Sequence, residues 1–179
     1  LQTILRFNQS PVVVLFLGSN IGNFPQAQAE SFMTALGANL KVGDKLLLGV
    51  DMKKEPAKIL SAYSDAKGIT ARFNLNVLRR INEELGANFE VQNFDHYAQY
   101  NPQNGECRSY LICRKAQDVN LKGVNQVFKF EEFECIHTEI SRKYSKNEID
   151  RLAASAGFKV IDKFYDSKMQ FCDALFEKL

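Results

Sequence analysis

Tryptophan is absent, histidine occurs only twice and cysteine four times in a chain of 179 residues. Cys107, Cys113, Cys135 and Cys172 form no Cys-x-x-Cys pair, and His96 and His137 complete no metal-ligand spacing with them. A disulfide scaffold and a zinc module are therefore not what this pattern encodes, no metal is expected, and free thiols in a reducing cytoplasm are. No apolar run approaches the ~20 residues that a membrane helix requires. The opening residues LQTILRFNQ lack the charged start and long apolar stretch of a signal peptide, so a cytoplasmic protein without membrane contact is expected. Neither sign of charge is in excess. Lysine and arginine total 23 against 21 acids, a net charge of +2, which is no electrostatic footprint for nucleic acid. No Gly-x-Gly-x-Gly run occurs.

What is there reads as an α/β protein. The chain is 45% hydrophobic, enough to bury a core, and its length suits one domain or one domain carrying an insertion. Residues 12–17 (VVVLFL) are β-branched and apolar without alternation, which predicts a central parallel strand buried on both faces. Residues 26–40 place Phe32, Met33, Leu36 and Leu40 at helical spacing, with Pro25 at the first turn. Residues 45–51 (KLLLGVD) are a second buried strand ending in an acid. Strand, helix, strand is a βαβ unit with a right-handed crossover. Near the end of the chain, Ser145 with Glu148 three residues on forms a capping box. Ile149, Leu152, Ala153 and Ala156 follow as an apolar stripe, and Gly157 marks the stop. Residues 159–166 and 169–179 then read as an antiparallel hairpin.

The middle has another character. Residues 55–66 and 69–86 are helical in pattern, the second with Phe73, Val77, Leu78, Ile81 and Leu85 on one face. Residues 107–115 and 126–136 are strand candidates, and 103–106 (QNGE) a turn. The division expected is a core of residues 1–51 and 144–179, with an α+β insertion over 52–143. Ligands of open α/β sheets bind beyond the carboxyl ends of the strands, which here are Gly18-Ser19 and Val50-Asp51.

Several stretches occur in one order: FLGSNIGNF (16–24), LLLGVDMKKEP (46–56), AYSDAKGITARFNLNVLRRINEELGANF (62–89), YNPQNGE (100–106) and IHTEISRKYS (136–145). Together they closely resemble the histidine N-alpha-methyltransferase family of ergothioneine biosynthesis, across nearly the whole chain. The resemblance implies a Rossmann-like class I methyltransferase sheet, of which this chain is the C-terminal half, with an inserted α+β substrate domain. It implies S-adenosylmethionine (SAM) as methyl donor, no metal, and the alpha-amino group of histidine or a related amino acid as acceptor. Position by position, it implies that Asn23 and Tyr63 hold the amine or carboxylate end and that Glu139 and Ser141 bond the imidazole. Gly18 and Ser19 would line the SAM pocket. No residue is singled out as chemically catalytic; Asn23 and Tyr63 position the amine. Two departures stand out. The family's glycine-rich SAM loop is not among these residues, and Ser109 stands where a methionine-like residue is expected.

Each of these residues also has a plainer reading. Gly18 and Gly22 serve a tight strand-to-helix turn, Asn23 caps a helix, Tyr63 edges a core, Glu139 is a solvated strand acid and Ser141 a turn residue. Three further expectations follow from reading the chain as a fragment of a longer enzyme. The 179 residues by themselves are inactive, they bind SAM weakly or not at all, and they self-associate through the exposed edge of the VVVLFL strand. The alternative to an enzyme is a non-catalytic module that binds an amino acid or a partner on a methyltransferase scaffold.

Overall fold

The computed structural model describes residues 11–179; the first ten residues of the expected core range lie outside it. The described chain forms two compact units. The first takes the chain up to Lys54, Pro102–Glu106 and Ile140–Leu179, and the second takes Glu55–Asn101 and Cys107–Glu139.

The first unit is built on a four-stranded mixed sheet: β1 (Val13–Phe16), β2 (Lys45–Asp51), β9 (Phe171–Lys178) and β8 (Phe158–Tyr165), in that spatial order. β1 and β2 run parallel, with Val14 opposite Leu46 and Phe16 opposite Leu48. The helix between them, α1 (Gln26–Ala38), is the crossover of the βαβ unit. β9 runs antiparallel to β2 and to β8, as the hairpin reading requires. Asp166 holds the hairpin turn, its carboxylate accepting from the backbone N–H groups of Lys168 and Phe171 at 3.1 and 2.8 Å. α4 (Lys146–Ser155) starts at a complete capping box of Ser145 and Glu148. Met33 and Leu36 from α1, Ile149, Leu152 and Ala153 from α4, and Leu46, Leu48, Val50, Ala174 and Phe176 from the sheet close one core. Each fully buried aliphatic or aromatic side chain there contributes on the order of 1.5–3 kcal/mol.

β1 differs from its sequence reading. Its packed face carries Val14 and Phe16, which lie against the core. Val13 and Leu15, on the other face, are 58% and 63% exposed. Among the described residues, β1 pairs with β2 alone and is an edge strand. An unbroken apolar run is therefore half-buried here, because burial depends on what covers each face and not on the strand's composition.

The second unit holds α2 (Pro56–Tyr63), α3 (Ile69–Leu85), a two-stranded ribbon and most of a three-stranded sheet, of which Glu106 and Ile140–Arg142 belong to the first unit. The sheet order is β3 (Phe94–Asn101), β4 (Glu106–Cys113), β7 (Cys135–Arg142); the ribbon pairs β5 (Gln117–Leu121) with β6 (Gln126–Phe130). Leu78 of α3 packs with Phe94, Leu111 and Cys113. The strand expected over 126–136 is two strands. The chain turns at residues 131–134, where Phe133 takes the left-handed conformation with φ 67°.

Candidate active site

The site begins where β1 ends. Gly18 has φ 75° and Ser19 has φ 59°, so two successive residues turn the chain in the left-handed region. For serine this costs about 1 kcal/mol or more. The cost is offset by a bond across the sheet: the Asp51 backbone N–H donates to Ser19 Oγ at 2.9 Å. A 3-10 turn, Asn20–Asn23, follows. Gly22 in it is required by close approach, since a Cβ there would lie 2.7 Å from the Arg142 carbonyl oxygen. The helix does not start at Asn23. Pro25 occupies the N-cap position and Gln26 is the first helical residue, so capping does not account for Asn23. Its side chain is exposed, and among the described residues it has no hydrogen-bond partner.

Beside this loop lies a cluster of charges. Asp51 ends β2 and pairs with two lysines: Lys54 Nζ meets Oδ1, and Lys143 Nζ lies 3.0 Å from Oδ2. The Lys143 side chain is only 3% exposed. Its ammonium also donates to Ser141 Oγ at 2.8 Å. The segments are tied by their backbones, with Tyr144 N–H donating to the Asp51 carbonyl and Lys53 N–H to the Tyr144 carbonyl, both at 2.9 Å. Arg142 donates to Glu148 Oε1 at 2.9 Å, and Lys53 lies 3.2 Å from the other oxygen. Burial alone would raise the Glu148 pKa. The Ser145 hydroxyl and backbone N–H, the Arg142 guanidinium and the Lys53 ammonium outweigh it and hold the carboxyl at about 2.

In the second unit, Tyr63 is the last residue of α2 and is half-buried. Asp65, two residues on, accepts from the backbone N–H groups of Ile69 and Thr70 at 2.9 and 2.8 Å, closing the first turn of α3. Those bonds pull its carboxyl down to about 2. Glu139 lies on β7, half-buried, and among the described residues its carboxylate has no hydrogen-bond or ion-pair partner. Its neighbour Thr138 points to the other face of the strand, where the hydroxyl bonds Asn74 Oδ1 at 2.7 Å. Ser109 is 1% exposed and its hydroxyl is buried without a partner among the described residues. The His137 ring packs at a tilt against Tyr110, with ring centroids 5.1 Å apart.

The expected site residues therefore divide. Gly18, Ser19, Asn23 and Ser141 belong to the first unit, Tyr63 and Glu139 to the second. Two cavities, of about 260 Å³ among Glu30, Arg142, Tyr144 and Arg151 and about 240 Å³ among Leu78, Phe89, Leu111 and Phe130, contain none of them. Gly18 and Ser19 fit a cofactor wall in part. A Cβ on Gly18 would meet nothing nearer than Asn20 Nδ2 at 3.7 Å, so a ligand has room against the backbone. The Ser19 hydroxyl accepts from the Asp51 N–H and keeps its own hydrogen to donate. Sequence reading missed Lys143. The signal was present: Glu139, Ser141 and Lys143 are spaced by two, the period of one strand face.

A family profile described as histidine-specific methyltransferase, SAM-dependent, matches residues 1–178. The histidine N-alpha-methyltransferase of Mycolicibacterium smegmatis is 37% identical over 147 residues, covering 82% of this chain and 46% of that protein. Ergothioneine biosynthesis protein 1 of Schizosaccharomyces pombe is 30% identical over 168 residues, covering 92% and 22%. The L-tryptophan methyltransferase trpM of Psilocybe serbica is 32% identical over 165 residues, covering 90% and 46%. The chain thus spans about half the length, or less, of these curated relatives. Among solved structures, the CcbJ methyltransferase of Streptomyces caelestis aligns with a TM-score of 0.49 at 10% identity, covering 97% of this chain and 63% of that one. The chain belongs to the SAM-dependent, histidine-specific methyltransferase family.

Proposed function

We propose that this chain is part of a SAM-dependent N-methyltransferase acting on the alpha-amino group of histidine or a related amino acid. The family match over residues 1–178 carries the reading. Supporting it, Asn23 and Glu139 keep their side-chain hydrogen-bonding capacity uncommitted among the described residues, although a half-buried carboxylate normally finds a partner.

When bound, SAM supplies an electrophilic sulfonium methyl group. The chain's own residues do the positioning, which provides much of the rate in a displacement of this kind. Gly18 and Ser19 give the donor a backbone surface. The Asn23 amide oxygen and the Tyr63 hydroxyl accept from the substrate amine, aim its lone pair and stabilise the positive charge that grows on nitrogen. Glu139 accepts the ring N–H, and Ser141 bonds the other ring nitrogen. A site built to bond both nitrogens rejects rings that lack them, because its own polar groups would be left unpaired.

The test is methyl transfer by the full-length parent across a panel of amino acids, followed by mass spectrometry. Histidine is the expected preferred acceptor, and Glu139→Ala should abolish the preference. Unchanged kinetics in that variant would remove Glu139 from the site. The 179 residues by themselves contain no Gly-x-Gly-x-Gly and are expected to be inactive and to bind SAM weakly. Micromolar affinity in calorimetry would overturn that expectation.

A further inference from the structure

Gly49 and Asp173 stand opposite each other on β2 and β9. Their chain neighbours Leu48, Val50, Cys172 and Ala174 all lie in the core, so both residues face the other side of the sheet. Gly49 has no side chain to fill that side. A Cβ on it would lie 3.0 Å from Asp173 Oδ1 and 3.2 Å from the Gly18 backbone nitrogen. The Asp173 carboxylate and the turn that follows β1 therefore flank one spot, and all three residues belong to the first unit.

Asp173 is half-buried, and among the described residues its carboxylate has no hydrogen-bond or ion-pair partner. Other acids of this unit are committed. Asp51, Glu148 and Glu177 each take two basic side chains, and Asp150 takes one. A carboxylate drawn partly out of water is costly without a compensating partner, and Asp173 finds none among the described residues.

We propose that Asp173 is a further cofactor-binding residue, its carboxylate taking a positively charged group of the methyl donor that lies against Gly18. This rests on the reading above that Gly18 lines the donor site. SAM carries two such groups, the sulfonium and the amino-acid ammonium, and a carboxylate attracts either. The bare glycine at position 49 keeps the approach open, since a side chain there would stand between the carboxylate and the turn.

Calorimetry on the full-length parent tests this with SAM and with S-adenosylhomocysteine, which keeps the ammonium and lacks the sulfonium. Asp173→Asn preserves the shape and removes the charge. Because the carboxylate holds no other part of the described fold, the ligand-free variant should melt within about 3 °C of the parent. Its dissociation constant for SAM should rise about tenfold or more, the loss of a charge-assisted contact. An equal rise for S-adenosylhomocysteine assigns the contact to the ammonium, and an unchanged value assigns it to the sulfonium. A SAM dissociation constant within about twofold of the parent's would overturn the proposal. So would a loss confined to histidine, measured with S-adenosylhomocysteine present, because the carboxylate would then serve the acceptor. Gly18→Val, which puts a side chain on the donor wall, separates the two readings. If it too leaves SAM binding unchanged, the assignment of Gly18 to the donor has failed; if it weakens SAM and Asp173→Asn does not, Asp173 alone falls.

Discussion

Ser19 sets two comparable effects against each other. Its left-handed backbone costs about 1 kcal/mol or more, and its hydroxyl accepts the Asp51 N–H, a bond worth about 1 kcal/mol net. The two substitutions that remove the hydroxyl should therefore differ. Ser19→Gly loses the bond but relieves the backbone, and should change stability by less than about 0.5 kcal/mol. Ser19→Ala keeps the strain and loses the bond, and should cost about 1 kcal/mol. Urea titrations of both variants measure the difference; equal losses would show that the left-handed turn carries no cost here. Gly22 gives a larger effect. A methyl group 2.7 Å from the Arg142 carbonyl must displace the loop or the strand. Gly22→Ala should cost about 1–3 kcal/mol, read from the same denaturation curve.

At the scale of elements, the start of α4 combines a cap with charge. Ser145 accepts from the Glu148 N–H at 3.3 Å, and Glu148 Oε2 accepts from the Ser145 N–H at 2.8 Å. Removing the cap in Ser145→Ala should cost about 1 kcal/mol. Glu148 also makes stability depend on pH. Its folded pKa, about 2, lies below the ordinary 4.5. The unfolded chain therefore binds the proton more readily, and the stabilisation is complete above about 4.5 and lost as pH falls toward 2. Thermal melts between pH 6 and 2.5 should show a steeper fall for the parent sequence than for Glu148→Gln. Parallel melts would mean that the Arg142 and Lys53 contacts contribute nothing in solution.

At the scale of the whole molecule, the open edge of β1 predicts behaviour in solution. Val13, Leu15 and Leu17 are 58, 63 and 41% exposed, and unpaired apolar strand edges recruit other chains. The 179-residue chain should self-associate, and Leu15→Lys should reduce its mass in light scattering. A monodisperse monomer before the substitution would sink the prediction. The reading of this strand shows where sequence is sufficient and where it is not. VVVLFL announces a strand, yet nothing in those six residues says which face will be covered. Likewise the strand expected over 126–136 breaks at Phe133, whose left-handed backbone no propensity of phenylalanine suggests. β3, with alternating polar residues such as Asp95 and Gln99, gives too weak an apolar signal to stand out.

Local rules act over a few residues, and much of what they govern was readable from the chain: the βαβ unit, the capping box at Ser145, the helix with Leu78 on its apolar face, the closing hairpin. The family motif was readable in the same way, as order along the sequence. What the tertiary structure decided is every relation between distant segments. It set Gly22 against the Arg142 backbone, Ser19 against Asp51, and Asp51 against Lys143. The last of these buries a lysine ammonium, which is stable there because the fold brings Asp51 Oδ2 and Ser141 Oγ to accept from it.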